Sequence, residues 1–393
     1  MKKYLLATAA SVLLASTASA EEIKLGIIFG FTGPIESLTG PMAQGAELAM
    51  AEVTASGLLL DGSSVTSVRA DSTCIDSSAA VAAAERLITS DKVNAIVGGD
   101  CSGVTGAILQ NVARPNGIAM ISPSATSPGL STAEDDGLFF RTAPSDAREG
   151  QVMTEVIMEH GIKSVAITYT NNDYGKGLAD SFRNAFEAAG GTVTINISHE
   201  DGKGDYSAEV GALASAGGEI LVVAGYLDQG GRGIIESSLD TGAWDRFVLP
   251  GGMIGDNILS IGDGLNGSFG QVAGTDSPGM TTYTENAEAA GFDGSSPFAP
   301  ESYDAAALIM LAMQAAGSSS SGDFKDKVFD VANAPGEQIF PGELAKALQI
   351  LKDGGEIDYV GASSVELIGS GESAGSYREI EVKDSQFETI RYR

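Results

Sequence analysis

The chain is short of soft metal ligands: its 393 residues include two His and two Cys. That is too few for an ordinary zinc enzyme, although carboxylates could still hold a hard cation. Basic residues are scarce as well. Lys and Arg number 23 against 52 Asp and Glu, a formal charge of −29 at pH 7. A surface of that sign repels phosphate backbones and anionic lipid, which argues against nucleic-acid binding. Missing too are the usual catalytic signatures: there is no G-x-S-x-G elbow, no P-loop and no H-E-x-x-H. His160 and His199 follow a helical and a strand pattern respectively, and read as surface residues rather than bases. Neither a metal nor a cofactor is expected. No repeat of about 20–50 residues is visible, so solenoids and propellers drop out.

What is present begins with a leader. Lys2 and Lys3 precede an apolar stretch over 4–15, and Ala18-Ser19-Ala20 follows. A positive start, an apolar run too short to span a bilayer and an A-x-A site predict an export signal over 1–20, cleaved before Glu21. A soluble periplasmic product is therefore expected. Export changes the meaning of Cys74 and Cys101, because an isolated even pair in an oxidising compartment reads as a disulfide.

From Glu21 onward, apolar runs alternate with amphipathic stretches. Strands are predicted at 23–31 (IKLGIIFGF), 65–70, 93–98 and 118–122, with helices at 41–56, 77–90 and 103–112 between them. This β-α-β-α order argues a parallel sheet with helices on both faces. The pattern then restarts. Helices at 149–160, 177–189 and 207–216 alternate with strands at 164–169, 192–197 and 219–225, and a strand at 247–249 closes the set. The segment 139–143 (FFRTA) between the halves reads as a short extended bridge. A helix at 302–316, a Gly/Ser-rich break at 317–322, a helix near 344–351 and a hairpin over 378–393 complete the chain.

In open α/β sheets, ligands sit beyond the carboxyl ends of the strands. Three such loops in the first half carry small hydroxyl residues: Thr32-Gly33-Pro34, Cys101-Ser102-Gly103 and 122–128 (SPSATSP). Hydroxyls and free N–H groups near helix starts make a neutral site suited to a carboxylate, or they merely cap helices and shape turns. Matching loops in the second half carry aromatics and acids: Asn171-Asn172-Asp173-Tyr174-Gly175, Tyr226-Leu227-Asp228-Gln229-Gly230, and Pro250-Gly251-Gly252 leading to Asp256. Two lobes facing each other through these loops would close on a small molecule.

Six segments, in this order and spacing, resemble the periplasmic solute-binding proteins of ABC transporters in the branched-chain amino-acid (Leu/Ile/Val) group. They are Gly30-Phe31-Thr32-Gly33-Pro34, Asp71-Ser72-Thr73-Cys74, Cys101-Ser102, 121–128 (ISPSATSP), Asp173-Tyr174-Gly175 and Gly225-Tyr226. The resemblance runs over essentially the whole mature chain. It implies an α/β fold of periplasmic binding protein type I: two doubly wound parallel-sheet lobes joined by a three-segment hinge. Lobe 1 would be 21–141 plus 279–354, and lobe 2 would be 142–278 plus 355–393. It also implies that Cys74 and Cys101 are bonded beside the site. Ser102 and Thr126 would hold the ligand carboxylate through their hydroxyls, and the backbone around Ser124 and Ala125 would add N–H and C=O contacts. Tyr174 and Tyr226 would come from the second lobe and Phe298 from the return segment. The family acid that pairs with a ligand ammonium falls at Gly251, and an aromatic pocket wall falls at Leu38. Either the acid has moved, to Asp228, Asp256, Glu36 or Glu301, or the ligand lacks an ammonium, since a buried ammonium without a partner is costly.

These observations converge on a non-enzymatic, monomeric solute receptor that binds an amino acid or related small carboxylate and delivers it to an inner-membrane ABC permease. The rival readings are a ligand-sensing receptor feeding a chemoreceptor or kinase, and a secreted hydrolase using carboxylates on the same scaffold.

Overall fold

The computed structural model describes residues 21–393; the leader expected over 1–20 lies outside the described residues. The first half runs β1 (Glu22–Phe29), α1 (Glu36–Ser56), β2 (Ser64–Asp71), α2 (Ser77–Arg86), β3 (Ala95–Gly98), α3 (Ser102–Ile108), α4 (Arg114–Asn116), β4 (Met120–Ser122) and β5 (Phe139–Pro144). The second runs α5 (Asp146–Glu159), β6 (Ser164–Thr170), α6 (Asp173–Ala188), β7 (Thr192–His199), α7 (Ser207–Ala216), β8 (Ile220–Ala224), α8 (Gly230–Thr241), β9 (Phe247–Leu249), α9 (Asp256–Leu259) and β10 (Phe269–Ala273). The return segment supplies α10 (Pro278–Ala290), α11 (Ala299–Ala316) and the short strands β11 (Glu337–Ile339), β12 (Ile357–Tyr359), β13 (Leu367–Ile368) and β14 (Glu372–Ser373). The chain ends in the hairpin β15 (Tyr377–Lys383) and β16 (Gln386–Tyr392).

Two seven-stranded sheets result, ordered β13-β14-β5-β4-β3-β1-β2 and β16-β15-β10-β9-β8-β6-β7; β11 and β12 pair separately. The parallel parts have the same winding, β2-β1-β3-β4-β5 and β7-β6-β8-β9-β10. In each, connections leave in opposite directions from a switch point, between β1 and β3 in one lobe and between β6 and β8 in the other. Loops part there and leave a crevice at the strand ends. The central strands are covered on both faces, which is why β8 (ILVVA) reads as an unbroken apolar run and is buried throughout. α11 is buried from Ala299 to Gln314. Its alanines let it lie close against α1, so it forms the spine of the first lobe.

Two boundaries differ from expectation. Residues 139–143 are not a bridge between lobes; Phe139–Pro144 is β5, a fully buried strand of the first sheet. The final crossing does not fall at 354/355 but after Ser373, because β14 pairs with β5 and β13 with β14. Charge holds that edge together. Arg141 on β5 is 1% exposed, and its guanidinium meets Glu372 of β14 at 2.6 Å. A two-residue strand has no alternation to read, so the sequence pattern could not place it.

Candidate functional site

Both switch points open onto a narrow cavity between the lobes. Ile35, Leu38, Asp100, Cys101, Ser102, Ser124 and Thr126 line it from the first lobe, and Glu149, Tyr174, Tyr226, Gly251 and Gly252 from the second, with Phe298 at the start of α11. Of the expected ligand residues, six meet here: Ser102, Ser124, Thr126, Tyr174, Tyr226 and Phe298. Ala125 does not. It is fully buried; its N–H donates to Ser122 Oγ (2.9 Å) and its carbonyl accepts from Arg141 (2.9 Å).

Local chemistry aims each loop. At the end of β3, Gly98 has φ +134° and lies so close to Ile28 that a Cβ would meet its carbonyl oxygen at 2.4 Å. Only glycine fits that turn, which carries the chain to Asp100, Cys101 and Ser102. The Cys74–Cys101 disulfide ties it to the loop after β2. Ser102 opens α3, and its Oγ accepts the Ser127 N–H (3.0 Å), so its own proton is left to donate. Arg141 holds the 122–128 loop from below, donating to the carbonyls of Ala125 and Ser127, each at 2.9 Å.

Asn172 arranges the second wall. Its side chain caps α6 by accepting the Gly175 N–H (3.0 Å), which places Tyr174 in the first turn. Tyr174 and Tyr226 stack, with ring centroids 5.1 Å apart and planes 16° from parallel. The Tyr174 hydroxyl accepts from the Gly252 N–H (3.1 Å). Gly252 must be glycine, since a Cβ would stand 2.7 Å from both that hydroxyl and the Gly225 carbonyl. Burial pushes both phenols well above their ordinary range, so they stay neutral donors and acceptors.

None of the four acids expected to face a ligand amine lines the cavity. Asp228 accepts from the Ser37 N–H (2.9 Å) and hydroxyl (3.0 Å), and also from Asn257, making a latch across the cleft mouth. The Asp228 N–H adds a bond to the Pro34 carbonyl (3.1 Å). Asp256 is exposed in an outer groove with Pro41, Asp293 and Phe387. Glu36 is exposed in the first turn of α1. Glu301 is 2% exposed and lines a groove at the hinge with Arg378; burial raises its carboxyl to about 8.

Two acids not anticipated from sequence do line the cavity. Asp100 is buried and accepts from the Gly30 N–H (2.6 Å) and Ser72 Oγ (3.1 Å); burial still raises it to about 6. Glu149 in α5 is 4% exposed and accepts from the Gly251 N–H (2.9 Å) and Gln271 (3.0 Å). Burial raises it as well. In sequence, Glu149 and Asp146 look like ordinary acids at a helix start, where the dipole favours them. No Lys or Arg among the described residues lines the cavity. The histidines lie elsewhere. His160 is exposed and stacked on Phe269, while His199, expected at the surface, is 1% exposed with Nδ1 2.8 Å from Thr168 Oγ1.

Comparison with known proteins agrees with this architecture. The chain matches the periplasmic binding protein family over residues 22–333. It is 32% identical to Leu/Ile/Val-binding protein homolog 3 of Brucella melitensis, covering 65% of this chain and 68% of that one. It is 28% identical to the leucine-, isoleucine-, valine-, threonine-, and alanine-binding protein of Pseudomonas aeruginosa, covering 76% and 80%. A leucine binding protein from Thermotoga maritima superposes with TM-score 0.78 at 21% identity, covering 94% of this chain and 98% of that one. A solute binding protein from R. palustris in complex with 4-hydroxybenzoate superposes with TM-score 0.76 at 19% identity, covering 95% and 97%. With two lobes closing on one cavity at paired switch points, and with these likenesses over most of its length, the chain belongs to the periplasmic binding protein family.

Proposed function

We propose that this protein is the exported solute receptor of an ABC importer, capturing an amino acid or related small carboxylate between its lobes and presenting it to the inner-membrane permease. One observation carries the reading: Ser102, Ser124 and Thr126 meet in a cavity with two neutral phenols and no cation. A carboxylate held there is held by hydroxyl and amide hydrogen bonds rather than by a basic side chain. Ligand bound to both walls stabilises the closed arrangement of the lobes. The leader over 1–20 sends the chain to the periplasm, and no helix among the described residues is long and apolar enough to cross a membrane.

Calorimetric titration of Ser102→Ala and Thr126→Ala tests the carboxylate subsite. A hydrogen bond to a charged group contributes about 1.5–3 kcal/mol, so each variant should bind roughly 10- to 150-fold more weakly. Thermal melts accompany both titrations, because Ser102 also anchors the Ser127 N–H and the Thr126 side chain lies against buried Asp146. Unchanged affinity in both variants removes the carboxylate assignment.

A further inference from the structure

We infer that the ligand carries a protonated amine, and that Glu149 is the side chain that determines this, occupying the place left empty at Gly251. The inference rests on the receptor reading above and deepens it. A Cβ built on Gly251 would lie 3.7 and 3.8 Å from the two Glu149 oxygens and 3.6 Å from Phe298 Cζ. A carboxylate on residue 251 and the carboxylate of Glu149 would therefore serve the same corner of the cavity, one from the loop after β9 and the other from α5. Gly251 leaves room for the second. Oε1 of Glu149 is held by the Gly251 N–H and by Gln271, which fixes the carboxylate against the cavity wall. Asp100 across the cavity adds a second acid, and no lining cation competes for either. An anionic ligand without an amine would meet two buried acids and no positive charge. A zwitterion places its carboxylate on the hydroxyl side and its ammonium on Glu149.

The same corner couples binding to protons. Asp146 lies one helical turn before Glu149 and is fully buried, and neither of its oxygens makes a well-formed hydrogen bond among the described residues. Two adjacent buried carboxyls hold a proton between them more readily than they hold two charges. The groups facing the pair do not neutralise it. Arg141 from β5 lowers Asp146, but it is committed to Glu372, Ser131 and two carbonyls, and burial outweighs it. Tyr174 from α6, Tyr377 from β15 and Gln271 from β10 are uncharged. Arg148 of α5 itself turns outward to Gln151. An arriving ammonium favours the ionised pair and expels the proton, so affinity should rise with pH, by up to about tenfold per unit while the pair still holds its proton.

The test is calorimetric titration with two matched panels: L-leucine, L-valine, L-threonine and L-alanine, and the same carbon skeletons without the amine, such as 4-methylpentanoate. Amino acids are expected to bind at least 100-fold more tightly than their amine-free partners. Glu149→Gln should abolish that preference. Glu149→Gln with Gly251→Asp, which returns a carboxylate to the same corner, should recover much of it; thermal melts check that both variants fold. Titration at pH 7 in buffers of differing ionisation enthalpy should show a proton released by the parent protein and none by Glu149→Gln. If only the amine-free acids bind, or if Glu149→Gln keeps the parent preference, the inference is overturned while the carboxylate receptor stands. If neither panel binds, the carboxylate-receptor reading fails and takes this inference with it.

Discussion

Burial decides the charge of several single residues, and with it the pH at which the fold is most stable. Glu301 is raised to about 8 in the folded chain. As pH climbs from its ordinary value toward 8, the unfolded chain gives up this proton and the folded chain keeps it, so stability falls by about 1.4 kcal/mol per pH unit. His199 acts in the opposite sense. Held neutral and lowered to about 4 by burial, it penalises the folded state as pH falls below about 6.5, where the unfolded imidazole takes a proton that the folded one refuses. Asp100 and Asp304, both raised to about 6, gain in that same acidic range and offset His199. Between pH 6.5 and 8, Glu301 is the uncompensated member of this set. Melting temperature should therefore be higher at pH 6.5 than at pH 8, with Glu301 contributing the equivalent of about 2 kcal/mol. Glu301→Gln should lower this difference by about 2 kcal/mol in differential scanning calorimetry, the Asp146–Glu149 pair, also raised by burial, supplying the remainder; a difference unchanged by the substitution assigns it wholly to other groups.

At the scale of elements, what matters is how helix starts and strand ends meet across the cleft. The Ser37 N–H at the start of α1 points at Asp228 of the opposite lobe, and the Ser37 hydroxyl and Asn257 add to the same carboxylate. An acid at a helix start is favoured by the dipole. This one spans two lobes, so it favours closure rather than the helix alone. Asp228→Ala should leave the melting temperature of the protein nearly unchanged. It should weaken ligand affinity by about 3- to 30-fold, the equivalent of one or two exposed hydrogen bonds, and enlarge the radius of gyration in small-angle scattering without ligand. Equal affinity and an equal radius would mean that the latch does not bias closure. The strand pairing β5–β14 has a comparable effect inside one lobe: Arg141 supports the 122–128 loop from below while Glu372 and Ser131 hold its other side.

The whole molecule carries a net charge of −29. Most of its ion pairs are exposed, such as Lys176 with Asp180 and Lys327 with Asp330, and exposed pairs contribute little. Self-repulsion of the compact state is therefore the larger electrostatic effect, and salt screens it over a Debye length of about 10 Å at 0.1 M. Raising NaCl from about 10 to 300 mM should raise the melting temperature by a few degrees. A flat or falling response would show that the ion pairs outweigh the repulsion. The same field repels phosphate and anionic lipid, while the cavity presents its own acids to an incoming solute.

The element order, the two-lobed α/β class and the loops that would face a ligand were legible in the amino-acid sequence, because each rests on local pattern. Buried parallel strands read as apolar runs, helix starts carry caps, and hydroxyls or tyrosines follow the strands directly. Cys74 and Cys101 could be paired because no other cysteine competes. The rest depended on distance in space. Glu149 and Gly251 are 102 positions apart in the chain yet 2.9 Å apart in the cavity, and nothing near Glu149 marks it off from an ordinary first-turn acid. Asp228 looked like a cavity acid until the closed lobes brought Ser37 to it. Residues 367–373 carry strands too short for any period, and only the pairing of β14 with β5 and of β13 with β14 assigns them to the first lobe. Local patterns of hydrophobicity and capping fix which elements form. Which acid is buried, which is latched and which reaches the cavity follows from desolvation and packing between segments far apart in the chain, and those forces act only once the tertiary structure has brought the segments together.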